Sequence, residues 1–126
     1  MAKSSAKPLP SLSIRIDLEP EGRIGPGKIL LLENIHRCGS ISAAGREMEM
    51  SYKRAWDLVD ELNRICRQTA VESQTGGKNG GGAVLTPFGI SLVKRYRKIE
   101  RNAASAVRKE LQTLRGEISR PKKRAG

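Results

Sequence analysis

Long apolar runs are missing from this sequence. No stretch approaches the roughly 20 residues needed to cross a bilayer, and the opening MAKSSAKPLP lacks the apolar core of a signal peptide. Neither a membrane-spanning helix nor a secretory leader is therefore expected. Cysteine is scarce: Cys38 and Cys66 stand alone, both on apolar helical faces. With no CxxC or HxxxH spacing, they and His36 form no metal set, and they read as buried free thiols in a reducing cytoplasm. The one histidine has no Ser, Cys or carboxylate arranged beside it for nucleophilic chemistry. No catalytic site, cofactor or metal centre is expected. Length sets the last limit, because 126 residues hold one domain with an arm or tail and are short for a two-domain sensor.

What the chain does have is positive charge, unevenly placed. Its net charge is +11, from 24 basic and 13 acidic residues. Residues 1–50 carry 7 basic and 6 acidic side chains, whereas residues 51–126 carry 17 and 7. Such asymmetry suits a polyanion, nucleic acid ahead of an anionic membrane surface. Charge also keeps proteins soluble, so it selects a partner only in combination with a shape.

The shape is legible in the chain order. Residues 1–10 read as a disordered arm with nothing to bury. Leu12, Ile14, Ile16 and Leu18 alternate with polar residues, the period of a half-buried strand, and Glu19 to Gly27 read as a turn. Pro26 opens a first helix that runs to about Cys38, with Leu31, Ile35 and Cys38 inward and Gly39 as its stop. Ser40 or Ser42 caps a short second helix ending near Met48, whose small Ala43, Ala44 and Gly45 let another helix come close. Glu49 and Met50 turn the chain, and Ser51 caps a third helix that continues to about Arg67.

That third helix is built like a reading helix. Its first turn is polar and basic (Ser51, Tyr52, Lys53, Arg54), and Ala55, Val59, Leu62 and Cys66 then recur on one face. Lys53 and Tyr52 can reach base edges or phosphates, since a helix in the major groove leads with its first residues. Asp57, Asp60 and Glu61 would repel phosphates, so the C-terminal half should stay outside the groove. The alternative is an ordinary mixed-charge surface helix with Lys53 and Asp57 as an i,i+4 pair. Ser40 and Ser42 would add hydroxyl and backbone N–H donors toward a phosphate.

A hairpin follows, with Ala70–Ser73 and Ala83–Leu85 as strands around TGGKNGGG. A tip stripped of side chains can lay its backbone N–H groups against phosphates or enter a narrow groove, with Lys78 and Asn79 supplying contacts. A flexible Gly-rich linker is the alternative. Thr86-Pro87 opens a long helix reaching about Leu114. Leu92, Tyr96, Ile99, Ala103, Val107, Leu111 and Leu114 recur along it as a stripe longer than one small core needs, which predicts a seam against a second copy. KRYRKIER, within this helix, reads as a solvated face or a DNA-backbone contact, and SRPKKRAG as a basic flexible tail. Gly22, Gly27 and Lys28 match the spacing of a phosphate-binding loop, but Ile29 stands where its Ser or Thr belongs, so that motif is rejected.

GSISAAGREMEMSYKRAWD followed by TGGKNGGGAVLT closely resembles the N-terminal domain of the molybdate-dependent transcriptional regulators of ModE type, bacterial winged helix proteins with relatives among the LysR-type regulators. The likeness covers about Gly27 to Leu114. It implies a winged helix dimer held by long helices on a palindromic operator. Ser51, Tyr52 and Lys53 match the start of the recognition helix, and Thr75, Gly77 and Lys78 match the wing. Molybdate-sensing members carry a further region of paired oxyanion-binding repeats, for which a chain ending at Gly126 has no room. The expectation is thus a mainly α winged helix–turn–helix with a small β wing, an N-terminal strand and a dimerisation helix over about 87–115. Residues 11–115 would form the DNA-binding domain, and 116–126 the tail. Function is expected to be cytoplasmic, nucleoid-bound gene regulation by a homodimer on double-stranded DNA, related to molybdenum but without a molybdate sensor of its own. The alternatives are a sequence-tolerant nucleoid-associated protein, and an interaction module that pairs with a longer relative.

Overall fold

Hydrophobic spacing and capping residues together decide where the helices of this chain begin and end. The computed structural model describes residues 9–74 and 82–119. A first pair of strands, β1 (Ile16–Leu18) and β2 (Gly22–Ile24), runs antiparallel with Ile16 opposite Ile24. Helix α1 (Pro26–Cys38) follows, then α2 (Ile41–Glu47) and α3 (Tyr52–Cys66). A second antiparallel pair, β3 (Val71–Gln74) and β4 (Gly82–Leu85), precedes α4 (Pro87–Ala106) and α5 (Arg108–Ser119). The described residues are mainly helical, with two small strand pairs.

The core sits between α1, α2, α3 and the second strand pair. Ile29, Leu31, Leu32 and Ile35 of α1 pack with Ile41 and Ala44 of α2 and with Ala55, Val59, Leu62 and Ile65 of α3. Burying such aliphatic side chains is the main stabilising term, about 1.5–3 kcal/mol for each. Gly39 adopts the left-handed conformation (φ 81°) and its N–H bonds the Ile35 carbonyl at 2.8 Å, closing α1. Ser40 then accepts the Ala43 N–H through its side chain at 3.0 Å, which settles which serine caps α2. Ser51 does the same for Arg54 at 3.0 Å, and Thr86 for Gly89 at 3.0 Å. A Cβ on Gly45 would lie 3.1 Å from that of Ala55, so the small residues of α2 do permit a close crossing with α3.

Backbone bonds tie β3 and β4 to the helices. Ala83 donates to the Gly39 carbonyl at 2.9 Å, and Thr86 N–H to the Ala70 carbonyl at 2.9 Å. Asn63 of α3 receives the Ala70 N–H at 2.8 Å. Helix α4 begins so close to this junction that a Cβ on Gly89 would stand 2.2 Å from the Ala70 carbonyl oxygen. Only glycine fits there.

The structure corrects several expectations. Glu19 to Gly27 is not wholly turn, because Gly22–Ile24 pairs with Ile16–Leu18 and Ile24 enters the core. Leu12 and Ile14 keep the alternating burial but lie outside the strand, and Leu18 is exposed. Ile65, rather than Cys66, completes the buried stripe of α3, since both spacings suit a helix and only packing chooses. Cys38 and Cys66 are half-buried free thiols, and burial pushes the Cys66 thiol up from its usual range. The C-terminal helix is broken at Val107 (φ −111°), whose N–H still reaches the Ala103 carbonyl. Tyr96, expected in a seam between copies, is 1% exposed and donates its hydroxyl to the Ile14 carbonyl, so it belongs to this chain's own core.

Candidate nucleic-acid interface

The first turn of α3 is presented to solvent because its cap fixes it there. Ser51 spends one lone pair on the Arg54 N–H, and Ser51, Tyr52, Lys53 and Arg54 are all exposed before Ala55 dives into the core. Tyr52 is 58% exposed and packs edge-on against Trp56, with ring centroids 6.2 Å apart and an interplanar angle of 77°. Lys53 Nζ lies 3.1 Å from the Asp57 carboxylate one turn on. An ion pair this open to water is weak through screening, so exchanging Asp57 for a phosphate or a base edge costs little. Arg54 points differently. It lines a cleft of about 540 Å³ with Arg15, Arg23, Lys28, Met50 and Leu58, and makes no ion pair among the described residues.

Two sets of expected contacts fall into separate neighbourhoods. Ser51 to Arg54 share one turn of α3. Ser40 and Ser42 open α2 beside Gly39, whose carbonyl holds β4 through Ala83, so the start of α2 and the strand pair are brought together. Ser42 is half-buried and accepts a bond from Arg46 at 3.1 Å; each serine hydroxyl keeps a donor to offer. Thr75, Gly77, Lys78 and Asn79 lie outside the described residues. The strands leading toward them are described, with Val71 opposite Leu85 and Gln74 opposite Gly82.

Some features escaped the sequence reading. Trp56 braces Tyr52, a relation that its i,i+4 spacing could have disclosed. Arg15 and Arg23 reach the cleft beside Arg54, which required knowing that Gly22–Ile24 is a strand. Lys28 of the rejected phosphate-loop spacing is committed elsewhere: its ammonium bonds the Arg23 carbonyl at 3.0 Å and sits 3.4 Å from Glu61. Among the described residues no cluster of three His, Cys, Asp or Glu is placed to hold a metal, and no helix is long and apolar enough to cross a membrane.

A close two-helix crossing, an exposed basic first turn on the second helix and an antiparallel strand pair docked beside them form an arrangement compatible with a winged-helix-like fold. The chain is similar to the molybdenum-pterin-binding protein MopB of Rhodobacter capsulatus, 49% identical over 82 residues that make up 65% of this chain and 30% of that protein. It is 39% identical to the transcriptional regulator ModE of Haemophilus influenzae over 93 residues, 74% of this chain and 36% of that one. It is 46% identical to the DNA-binding transcriptional dual regulator ModE of Escherichia coli over 71 residues, 56% of this chain and 27% of the other. The chain thus spans about a third of the length of these relatives. No protein-family model matches it.

Proposed function

We propose that this chain is a winged helix DNA-binding regulator of ModE type, working in molybdenum-related gene control. The observation that carries the reading is the first turn of α3, a cap-fixed, exposed Ser51-Tyr52-Lys53-Arg54 set on a helix whose opposite face is core. Similarity to proteins named as ModE transcriptional regulators supports the same reading. In it, Tyr52 and Lys53 read base edges, Arg54 and the serines that open α2 hold phosphates, and the β3–β4 pair with residues 75–81 acts as the wing. The protein works in the cytoplasm, by binding rather than by catalysis.

The binding unit in this proposal is a homodimer. Leu92, Ala103, Val107 and Leu111 are half-buried within one chain, while Ile99 and Leu114 are 38% and 44% exposed. A second copy laid along them would cover that surface and set two recognition helices about 34–36 Å apart on a palindromic operator. Tyr96 has no surface left to contribute.

The deciding experiment selects genomic fragments with the purified protein and re-titrates them against random DNA. One palindromic site bound roughly 10³-fold tighter than random DNA is the expected outcome. In that assay Lys53→Ala should weaken the selected site far more than random DNA, and equal losses on both would remove Lys53 from sequence reading. Uniform, salt-sensitive binding would instead favour a sequence-tolerant architectural protein, the reading suited to the 17 basic residues of positions 51–126.

A further inference from the structure

Several described cations meet a carboxylate. Arg15 and Arg23 share Asp17, Lys28 meets Glu61, and Arg97 is gripped by Glu33 at 2.7 Å and by Glu100 at 2.7 Å. One face of α4 gathers four that do not. Lys94, Arg95, Lys98 and Arg101 are all exposed, and none forms an ion pair among the described residues. No Asp or Glu occurs between Thr86 and Ile99, and Glu100 is committed to Arg97. Lys94, Lys98 and Arg101 stand at i, i+4 and i+7, with Arg95 beside them, opposite the face that buries Tyr96. Like charges at this spacing repel and weaken a helix. Pro87, Ile90 and Ser91 join Lys94, Arg95 and Lys98 around a shallow depression of about 460 Å³.

We propose that this face of α4 is a second nucleic-acid contact, lying along the sugar–phosphate backbone that flanks the bases read by α3. The inference rests on the DNA-binding reading and extends it to a surface outside the helix–turn–helix. Spacing fits the occupant: Lys94 to Arg101 spans about 10 Å of helix axis, the rise of about three phosphates on one strand. Position fits as well. Only Thr86 separates β4 from α4, so the stripe begins about 10 Å from the base of the strand pair. Exposed point charges around a shallow depression suit a sequence-independent backbone contact, whereas a protein partner would be met by buried aromatic or arginine anchors.

The test compares the full chain with a Lys94→Gln, Arg95→Gln, Lys98→Gln, Arg101→Gln variant on the selected site, as a core-length duplex and as one extended by about a helical turn on each side. The native chain should gain about tenfold or more from the flanks at low salt, and the variant should gain nothing. The slope of log K against log salt should flatten by about 3–4 per chain if all four contacts are made, with the preference for the selected site over random DNA retained. An unaltered slope and an unaltered gain from the flanks would overturn the proposal while leaving α3 as the reading helix. Failure of the native chain to bind DNA at all would overturn both. Should the fourfold variant lose its helical circular dichroism, Lys94→Gln with Lys98→Gln decides by the same slope. Lys94→Arg with Lys98→Arg should keep the native slope, and loss of slope there would count against a charge-based contact.

Discussion

Between Thr86 and Arg97 the C-terminal helices are held at almost every turn, whereas between Lys98 and Ile118 they are barely held. Over the first stretch, Thr86 bonds the Thr69 and Ala70 carbonyls, Gly89 presses on Ala70, Tyr96 is buried, and Arg97 makes a two-pronged bond to Glu33 of α1. Over the second, Ala104 and Leu111 share a depression with Leu12 of the extended N-terminal stretch, and Leu114 and Ile118 are 44% and 63% exposed. Yet the apolar stripe passes through both with the same helical period. Periodicity says that a face is to be covered; it does not say which surface does the covering. The first stretch is packed by its own chain, and the second keeps Leu114 and Ile118 exposed.

Three substitutions probe that division. The largest effect belongs to Gly89→Val, whose Cβ would enter the Ala70 carbonyl. It should cost about 3 kcal/mol, at the upper end of overpacking, seen as a lowered midpoint in urea; a midpoint close to native would mean that the start of α4 is not held as described. Tyr96→Phe comes next. It strands the Ile14 carbonyl and should cost about 1–2 kcal/mol, and a neutral result would move the N-terminal stretch out of the folded unit. Leu114→Ser should be smallest, within about 0.5 kcal/mol for unfolding of the dilute chain, while lowering self-association in sedimentation equilibrium. If unfolding and self-association responded together, the two stretches would be one cooperative unit and the division would fall.

Local chemistry made much of the fold readable in advance. Ser40, Ser51 and Thr86 each cap the helix that follows, and Gly39 ends α1, because caps depend on a few adjacent residues. What failed depended on distant partners. Ile24 looked like part of a turn until Ile16 paired with it, and Tyr96 looked like seam until the Ile14 carbonyl accepted a hydrogen bond from its hydroxyl. Cys66 and Ile65 were equivalent by spacing and were separated only by packing. The candidate site divides the same way. The exposed turn at Tyr52 to Arg54 was legible, but the cleft that Arg54 shares with Arg15 and Arg23 needed the first strand pair. The cation stripe of α4 was visible as sequence, while its want of carboxylate partners had to be found in three dimensions.

The bond from the Ala83 amide to the Gly39 carbonyl reaches beyond architecture. It joins the residue that ends α1 and precedes the cap of α2 to one arm of the second strand pair. That single amide proton is therefore a gauge of whether the strand pair is seated against the helices. Its exchange with solvent deuterium would report the opening of this joint wherever that opening is easier than global unfolding. With DNA present, the same proton would register how far a grip on the strand pair stiffens the helices beside it.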